Sequence, residues 1–169
     1  MKKCFIFDLD DTLVKTNAKV IVRRGSENEI ICKLTPKQFD VFELEEEEFF
    51  DFTEFRADNF IKEGKETFLI HLAKEVYDEG HDVYILTARE EDSAEAIKFF
   101  LGRFDIQAKT IYCVGGSKQK TSQEKRKVLL TLMEGYDKIY FYDDSQENIE
   151  KAPSCEKIRK YHLNTEDQE

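Results

Sequence analysis

Four short apolar segments, each ending at a polar or glycine residue, constrain the fold of this chain more than any other feature. They are residues 3–7 (KCFIF), 82–86 (DVYIL), 109–114 (KTIYCV) and 138–142 (KIYFY). Short β-branched or aromatic runs of this kind are typical of buried parallel strands. Because helical patterns separate them, the sequence predicts an α/β fold, a doubly wound, Rossmann-like and mostly parallel sheet with helices on both faces.

The helices are predicted from apolar spacing and from their end signals. They cover residues 57–79, 93–101, 122–134 and a short last segment from Asp144 or Ser145 to about Lys151. Gly80 is expected to end the first helix, Ser93 to cap the second, and Thr121 with Glu124 to form a capping box before the third. A last strand is predicted around residues 157–163.

Residues 13–55 interrupt the alternation, and we expect them to form a flap or small cap inserted after the first strand. The whole chain, residues 1–169, is otherwise predicted to be one domain. The local signals of the insert are a hairpin of residues 19–24 and 29–33 around Gly25-Ser26, a helical turn at Thr35-Pro36 and an extended piece at residues 41–44.

Composition limits the classes of function. The net charge of −10 argues against extended nucleic-acid binding, which usually needs a basic surface, but allows a local basic pocket for one phosphate group. No apolar run reaches about 18 residues, so we expect no membrane-spanning helix. Acidic residues from Asp8 onward interrupt the first apolar stretch, so we expect no apolar region of a secretory signal peptide. The four cysteines form no C-x-x-C pair, which argues against a disulfide or metal site. We therefore expect a cytoplasmic protein with reduced cysteines.

Polar groups follow the predicted strands at the points where each strand ends. They are residues 8–12 (DLDDT), Thr87-Ala88-Arg89, the lysines after Gly115-Gly116, and Asp143-Asp144. In a doubly wound sheet the ligand lies beyond the carboxyl ends of the strands. The sequence therefore predicts that these four groups converge on one site.

In order and spacing these groups resemble the haloacid dehalogenase-like (HAD) phosphatase superfamily, in its small-cap phage and bacterial type. The matching stretches are FDLDDTL (7–13), ILTAR (85–89), a lysine at a helix start and FYDDSQENI (141–149). The resemblance covers almost the whole chain outside residues 13–55. It implies a Mg²⁺-dependent phosphomonoester hydrolase that works through an aspartyl-phosphate intermediate.

The resemblance implies that Asp8 is the nucleophile and that Asp10 protonates the leaving group and then deprotonates water. It also implies that Asp8, the backbone carbonyl of Asp10 and an acid from the last motif hold Mg²⁺. Asp144 fits the position of the metal ligand. Asp143 fits the position of a neighbour that orients Asp144 or the lysine. The reverse assignment of these two aspartates stays open. Asp11 stands where related proteins often have glycine, so it is expected to be a turn residue.

Thr87, helped by the Ala88 backbone N–H, resembles the superfamily's ligand for the transferring phosphoryl group. Arg89 is expected to reach the same phosphate or the body of the substrate. Lys125 is favoured as the phosphate-binding lysine because it lies in the first turn of a predicted helix, with Lys120 as the alternative. Asn148 replaces an acid found in many members of the superfamily, which leaves the metal site with one charge fewer.

The expected substrate is a phosphorylated small molecule, or a nucleotide or nucleic-acid end. One alternative is a polynucleotide 3′-phosphatase or nucleotidase of the end-healing type, and another is a non-catalytic HAD-like interaction domain. A response-regulator receiver has similar groups, but its phosphorylated aspartate ends a central strand, and the strand at 82–86 is followed by Thr87. The sequence leaves the physiological substrate and the oligomeric state open.

Overall fold

The computed structural model describes residues 1–164, apart from the side chains of Pro36, Lys37 and Asp40. The strands are β1 (Lys3–Phe7), β2 (Val14–Lys15), β3 (Val20–Arg24), β4 (Glu29–Leu34), β5 (Glu48–Asp51), β6 (Lys65–Glu66), β7 (Asp82–Thr87), β8 (Thr110–Cys113), β9 (Lys138–Asp143) and β10 (Ile158–His162). The α-helices are α1 (Pro36–Val41), α2 (Thr53–Arg56), α3 (Asp58–Lys62), α4 (Leu69–Asp78), α5 (Ala94–Gly102), α6 (Thr121–Met133) and α7 (Gln146–Lys151).

The central sheet has five strands in the order β10-β9-β1-β7-β8, and every neighbouring pair is parallel. This confirms the predicted α/β fold. Near the carboxyl end of β1, Phe7 is in register with Tyr142 of β9 and with Ile85 of β7. The residues that follow β1, β7 and β9 therefore emerge side by side at one edge of the sheet.

Side chains of β1 alternate between two apolar cores, one on each face of the sheet. Phe5 and Phe7 pack in a core with residues of α4 and α5, and Cys4 and Ile6 pack in the other with residues of α6. Full burial of such a side chain contributes about 1.5–3 kcal/mol, so both layers are held firmly against the strands. Helices on both faces were predicted, and this arrangement confirms them.

A three-stranded antiparallel sheet, in the order β4-β3-β5, forms the flap. The predicted hairpin lies within one residue of β3 and β4, and Gly25 has the positive φ of 71° that its turn needs. The extended piece predicted at residues 41–44 is wrong as a strand, because Val41 belongs to α1 and the third strand is β5. Glu48 at the start of β5 forms a salt bridge of 3.3 Å with Arg24 of β3, its partner in the strand register.

The single helix predicted at residues 57–79 is wrong, because the structure has α3, β6 and α4 there. Gly64 directly precedes β6, which pairs with β2, and a Cβ on Gly64 would lie 2.4 Å from the Val14 side chain. This tertiary contact overrides the helical spacing of the sequence. Gly80 does follow α4 with a φ of 91°, as predicted. Within residues 1–164 no helix has both the length and the apolar character needed to cross a membrane.

Capping was predicted less well than the helices themselves. The N-cap of α6 is Lys120 and Thr121 is already helical, so the predicted capping box is wrong. Ser93 occupies the N-cap of α5 but makes no capping hydrogen bond, because a 3₁₀ turn (Glu91–Ser93) leads into the helix. Ser145 caps α7 by accepting a hydrogen bond from the Asn148 N–H at 3.3 Å.

Candidate active site

Asp8 is held in place as a direct continuation of β1. Its backbone N–H donates to the Tyr142 carbonyl at 2.9 Å, and its side chain is buried. The chain then turns sharply, with the N–H groups of residues 12–14 all donating to the Leu9 carbonyl. Asp11 has a φ of 60° in this turn, the left-handed region that favours glycine, which agrees with its prediction as a turn residue.

Three carboxylates meet beyond the ends of β1 and β9. Oxygen atoms of Asp8, Asp143 and Asp144 lie within 4.8 Å of one another. Lys125 of α6, with a side chain only 1% exposed, donates to Asp8 Oδ1 at 2.9 Å and to Asp143 Oδ2 at 2.8 Å. Of the two candidate lysines, Lys125 therefore lies in the cluster, whereas Lys120 is exposed and lies 3.8 Å from Glu147.

Asp143 and Asp144 differ in their surroundings. Asp143 is fully buried and accepts hydrogen bonds from Lys125, from the Ser145 N–H at 2.9 Å and from the Asn148 side chain at 3.1 Å. Asp144 is half-buried, and its Oδ1 lies 3.5 Å from the Thr12 hydroxyl, which also donates to Asp8 at 3.1 Å. Protein donors thus hold both oxygens of Asp143, while Asp144 faces Asp8 across the site.

The cluster carries more negative than positive charge. Burial raises the pKa of Asp8 to about 7; the Lys125 ammonium opposes this rise and the Asp144 carboxyl adds to it. Burial also raises the pKa of both Asp143 and Asp144. Burial acts to lower the pKa of Lys125, but the Asp8 and Asp143 carboxylates raise it above its ordinary value. Three carboxylates facing one ammonium would be neutralised by a divalent cation, and hard oxygen ligands of this kind suit Mg²⁺.

The end of β7 brings a second group of side chains to the same edge. Thr87 is buried, and its hydroxyl oxygen accepts a hydrogen bond from the Arg89 N–H at 3.2 Å. The Arg89 guanidinium donates to both carboxylate oxygens of Asp10, each at 2.8 Å, and to the backbone carbonyl of Phe55 in the flap. Arg89 therefore connects three parts of the chain that are distant in sequence.

A cleft of ≈ 260 Å³ opens between the flap and this edge of the sheet. Its lining residues come from the β1 turn, from the segment around α2 and from the segment after β7: Asp10, Phe52, Phe55, Arg56, Ala88, Arg89, Glu90, Asp92 and Ser93. Asp10, Ala88 and Arg89 are the predicted site residues that line it. The carboxylate cluster and this cleft are thus adjoining parts of one site.

Solved structures with a similar backbone carry this arrangement of strands and helices. A chain of the Pnkp1/Rnl/Hen1 RNA repair complex matches 99% of this chain with a TM-score of 0.63 and 16% sequence identity. The HAD family enzyme BT-2542 from Bacteroides thetaiotaomicron, in complex with magnesium and inorganic phosphate, matches 99% of this chain with a TM-score of 0.52 and 14% identity. The chain has a haloacid dehalogenase-like fold.

The matches cover very different shares of the other proteins' chains. The match covers 97% of the BT-2542 chain but only 44% of the chain from the RNA repair complex, so this chain spans less than half of the latter. A second structure of the Pnkp1/Rnl/Hen1 complex gives a TM-score of 0.64 at 16% identity, with 99% of this chain and 47% of that chain covered. No protein-family model and no curated protein matches the sequence.

Three features of this site were not predicted from the sequence. Gly115, after β8, donates its N–H to the Arg89 carbonyl at 3.0 Å, and a Cβ there would lie 2.4 Å from the Ala88 carbonyl oxygen. Glycine has no Cβ and therefore permits such a close backbone approach, so Gly115 just beyond the predicted strand was a usable signal. Phe52 and Phe55 carry no comparable signal, because their place beside the cleft depends on how the flap folds.

Proposed function

We propose that this chain is a Mg²⁺-dependent phosphomonoester hydrolase that works through an aspartyl-phosphate intermediate. The observation that carries the proposal is the surroundings of Asp8. Its carboxylate is buried at the end of the central strand and accepts hydrogen bonds from Lys125 and Thr12. One of its oxygens lies within 4.8 Å of oxygens of Asp143 and Asp144, close enough for one metal ion to bind to all three. The HAD-like fold and the bound magnesium and phosphate of BT-2542 agree with this proposal.

In the proposed reaction a carboxylate oxygen of Asp8 attacks phosphorus while the ester P–O bond breaks. Asp10, with one oxygen protonated and released from its Arg89 hydrogen bond, gives that proton to the leaving oxygen, so the leaving group departs as an alcohol. Water then attacks the phosphorus of the aspartyl phosphate and passes a proton to Asp10. The bond between Asp8 and phosphorus breaks, which returns the Asp8 carboxylate and releases inorganic phosphate.

The phosphoryl oxygens would be bound by Lys125, by the Thr87 hydroxyl and by the Ala88 N–H. Because the Thr87 oxygen accepts the Arg89 N–H, its hydroxyl proton is available for a substrate oxygen. Lys125 is already held by Asp8 and Asp143, so it would meet the phosphate without rearranging a mobile side chain. Donors positioned in this way stabilise the charge that develops on the transferring group.

Asp8, Asp144 and the backbone carbonyl of Asp10 would hold Mg²⁺, with Asp143 as the alternative to Asp144. Such an ion reduces the repulsion between an anionic nucleophile and an anionic phosphate. We favour Asp144 because the oxygens of Asp143 already accept hydrogen bonds from Lys125, Ser145 and Asn148. The Lys125 contact then gives Asp143 the role of holding the lysine in place.

Hydrolysis of 4-nitrophenyl phosphate in Mg²⁺ tests the proposal. Asp8→Asn should reduce turnover to the background rate, because an amide cannot form the phosphorylated intermediate. Asp78→Asn, which changes an exposed aspartate on α4, is the matched control and should keep wild-type activity. Full activity in Asp8→Asn contradicts the proposed role, and absence of metal-dependent turnover on a broad phosphoester panel favours a non-catalytic interaction domain.

A second candidate is a polynucleotide 3′-phosphatase or nucleotidase of the end-healing type. It is favoured by the likeness to a chain of an RNA repair complex and by the cleft beside the flap. The net charge of −10 disfavours binding along a polynucleotide but not binding of its end. Rates on a 3′-phosphorylated oligonucleotide, on free nucleotides and on sugar phosphates would separate the candidates.

A further inference from the structure

Two aromatic side chains of the flap segment line the cleft that adjoins the carboxylate cluster. Phe52 precedes α2 and Phe55 lies within it, and both line the ≈ 260 Å³ cleft together with Asp10 and Arg89. That volume lies just below the usual range of about 300–1,000 Å³ for drug-sized ligands, so it suits a small group of one or two rings. The cleft therefore has the size and the apolar wall of a site for a ring.

Phe52 is held in place although much of it faces solvent. Its ring lies 5.5 Å from the ring of Phe39 and 6.1 Å from that of Phe50, measured between centroids, yet Phe52 remains 38% exposed. An aromatic ring that is fixed by its neighbours loses little conformational freedom when a second ring stacks on it. Phe52 is thus preorganised for stacking.

Arg89 connects Phe55 to Asp10 on the turn after β1. The Arg89 guanidinium carbon lies 5.7 Å from the centre of the Phe55 ring, and the same guanidinium donates to the Phe55 backbone carbonyl. Arg89 in turn holds both oxygens of Asp10. These contacts set the distance between the aromatic wall and the proposed acid that protonates the leaving oxygen.

Asp10 lies at the junction of the two parts of the site. If Asp8 attacks phosphorus and Asp10 protonates the leaving oxygen, the remainder of the leaving group extends past Asp10 into the cleft. Polar groups also line it, with the Arg56 guanidinium as a donor and the Glu90 and Asp92 carboxylates as acceptors. A plain hydrocarbon ring could form no hydrogen bond with these groups, whereas the edge of a nucleobase carries both donors and acceptors.

We propose that the leaving group is a nucleoside, whose base stacks on Phe52 and Phe55 while its phosphorylated oxygen lies at Asp10. This inference rests on the proposed phosphatase function and assigns Phe52 and Phe55 as the residues that determine specificity. Stacking on an aromatic side chain is sequence-tolerant because every base has an aromatic face. The site therefore selects for the presence of a base and only weakly for its identity.

The test compares adenosine 5′-monophosphate with ribose 5-phosphate, which lacks only the base, and adds adenosine 3′-monophosphate as the positional isomer. Wild-type kcat/KM should be at least about tenfold higher for the better adenosine nucleotide than for ribose 5-phosphate. Phe52→Ala and Phe52→Leu should remove most of this preference, because leucine keeps apolar contact but not the ring. Phe49→Ala, which changes an equally exposed (39%) flap phenylalanine outside the cleft lining, should leave the preference unchanged.

The outcomes separate this inference from the proposed function. Equal kcat/KM for the nucleotides and ribose 5-phosphate, or loss of preference in Phe49→Ala as large as in Phe52→Ala, overturns the inference while metal-dependent turnover still supports the phosphatase. If no phosphoester is hydrolysed, the proposed function fails and the assignment of the leaving group fails with it. Calorimetric binding of the same three compounds in Mg²⁺ then decides whether the cleft binds a base. Tighter binding of a nucleotide that Phe52→Ala weakens supports the base site on Phe52 and Phe55, and equal binding overturns it.

Discussion

The Arg89 guanidinium donates one hydrogen bond of 2.8 Å to each carboxylate oxygen of Asp10. The planar fork of arginine matches a carboxylate in this two-point geometry, which fixes both side chains more tightly than a single contact. Because Arg89 also donates to the Phe55 carbonyl, one side chain holds both the flap segment and the turn after β1. Arg89 is therefore a positioning residue for Asp10 in addition to its predicted contact with the substrate.

Arg89→Lys should be nearly as harmful as Arg89→Ala. A lysine ammonium keeps the charge but cannot form the two parallel hydrogen bonds, so Asp10 would lose its fixed position. We expect a fall of about 10²-fold in kcat for both variants, the cost of a small misplacement of a reacting group. Arg126→Lys, on the exposed side of α6, is the control. Near wild-type kcat in Arg89→Lys would show that charge alone is sufficient.

Asp10→Asn should have an effect that depends on the leaving group. A nitrophenolate departs readily without a proton, whereas an alkoxide needs one from Asp10. The variant should therefore lose about 10²–10⁴-fold more in turnover of glycerol phosphate than in the phosphorylation step with 4-nitrophenyl phosphate, measured as a pre-steady-state burst of nitrophenol. Equal losses on both substrates would contradict the proposed role of Asp10 as an acid.

Lys125→Met should destabilise the metal-free protein as well as inactivate it. Removal of this buried ammonium leaves Asp8 and Asp143 without their shared cation, which typically costs about 3–5 kcal/mol when the carboxylates stay ionised. The cost, measured by urea unfolding in EDTA at pH 8, should shrink at pH 5.5, where Asp8 becomes protonated. Lys127→Met, two residues along α6 with a 60% exposed side chain, should change stability by less than about 0.5 kcal/mol. Equal stability of both variants at pH 8 would contradict this reading.

The stability of the metal-free protein should fall as the pH rises through about 7. Burial raises the pKa of Asp8 to about 7, so its contribution to stability is full below about pH 4 and is lost as the buried carboxyl ionises. Mg²⁺ binds the ionised form, so the increase in Tm that it produces should be larger at pH 8 than at pH 5.5. Differential scanning calorimetry at both pH values checks this, and Asp8→Asn should show a much smaller dependence on pH. A Mg²⁺ effect that is equal at both pH values would contradict it.

The central sheet was predictable because its strands are continuous apolar runs with polar ends. The structure differs from the predicted bounds by a residue at β7 and β9, and β8 is shorter. The helix at 57–79 failed for a physical reason, since spacing of four residues does not reveal that β6 pairs with a strand far away in the sequence. The third flap strand was missed likewise, because β5 is defined by its pairing with β3 and not by its own composition.

The carboxylate cluster could be anticipated because its members follow neighbouring strands, and parallel strands place their ends together. The sequence favoured Lys125 but left Lys120 open, since both lie near the start of α6. The structure separates them, because Lys125 is buried between Asp8 and Asp143 and Lys120 is exposed. The aromatic wall of the cleft could not be anticipated, because Phe52 and Phe55 reach it only through the packing of the flap.

Gly115→Ala should disturb the site although residue 115 carries no reactive group. An added Cβ would lie 2.4 Å from the Ala88 carbonyl oxygen and 2.8 Å from the Arg89 carbonyl carbon, and backbone atoms cannot move aside as a side chain can. The loops after β7 and β8 must then separate, which costs about 1–3 kcal/mol of stability and displaces the groups at residues 87–89. A fall of about 10²-fold in kcat is expected from that displacement.

Gly102→Ala provides the matched control for this steric effect. It makes the same substitution at the end of α5, where no atom lies within 4 Å of the added Cβ, and alanine is favoured over glycine in a helix by about 0.5–1 kcal/mol. Thermal unfolding should therefore show a lower Tm for Gly115→Ala and an equal or higher Tm for Gly102→Ala. If Gly115→Ala keeps both wild-type Tm and wild-type kcat, the close approach of these two loops does not position Thr87 and Arg89.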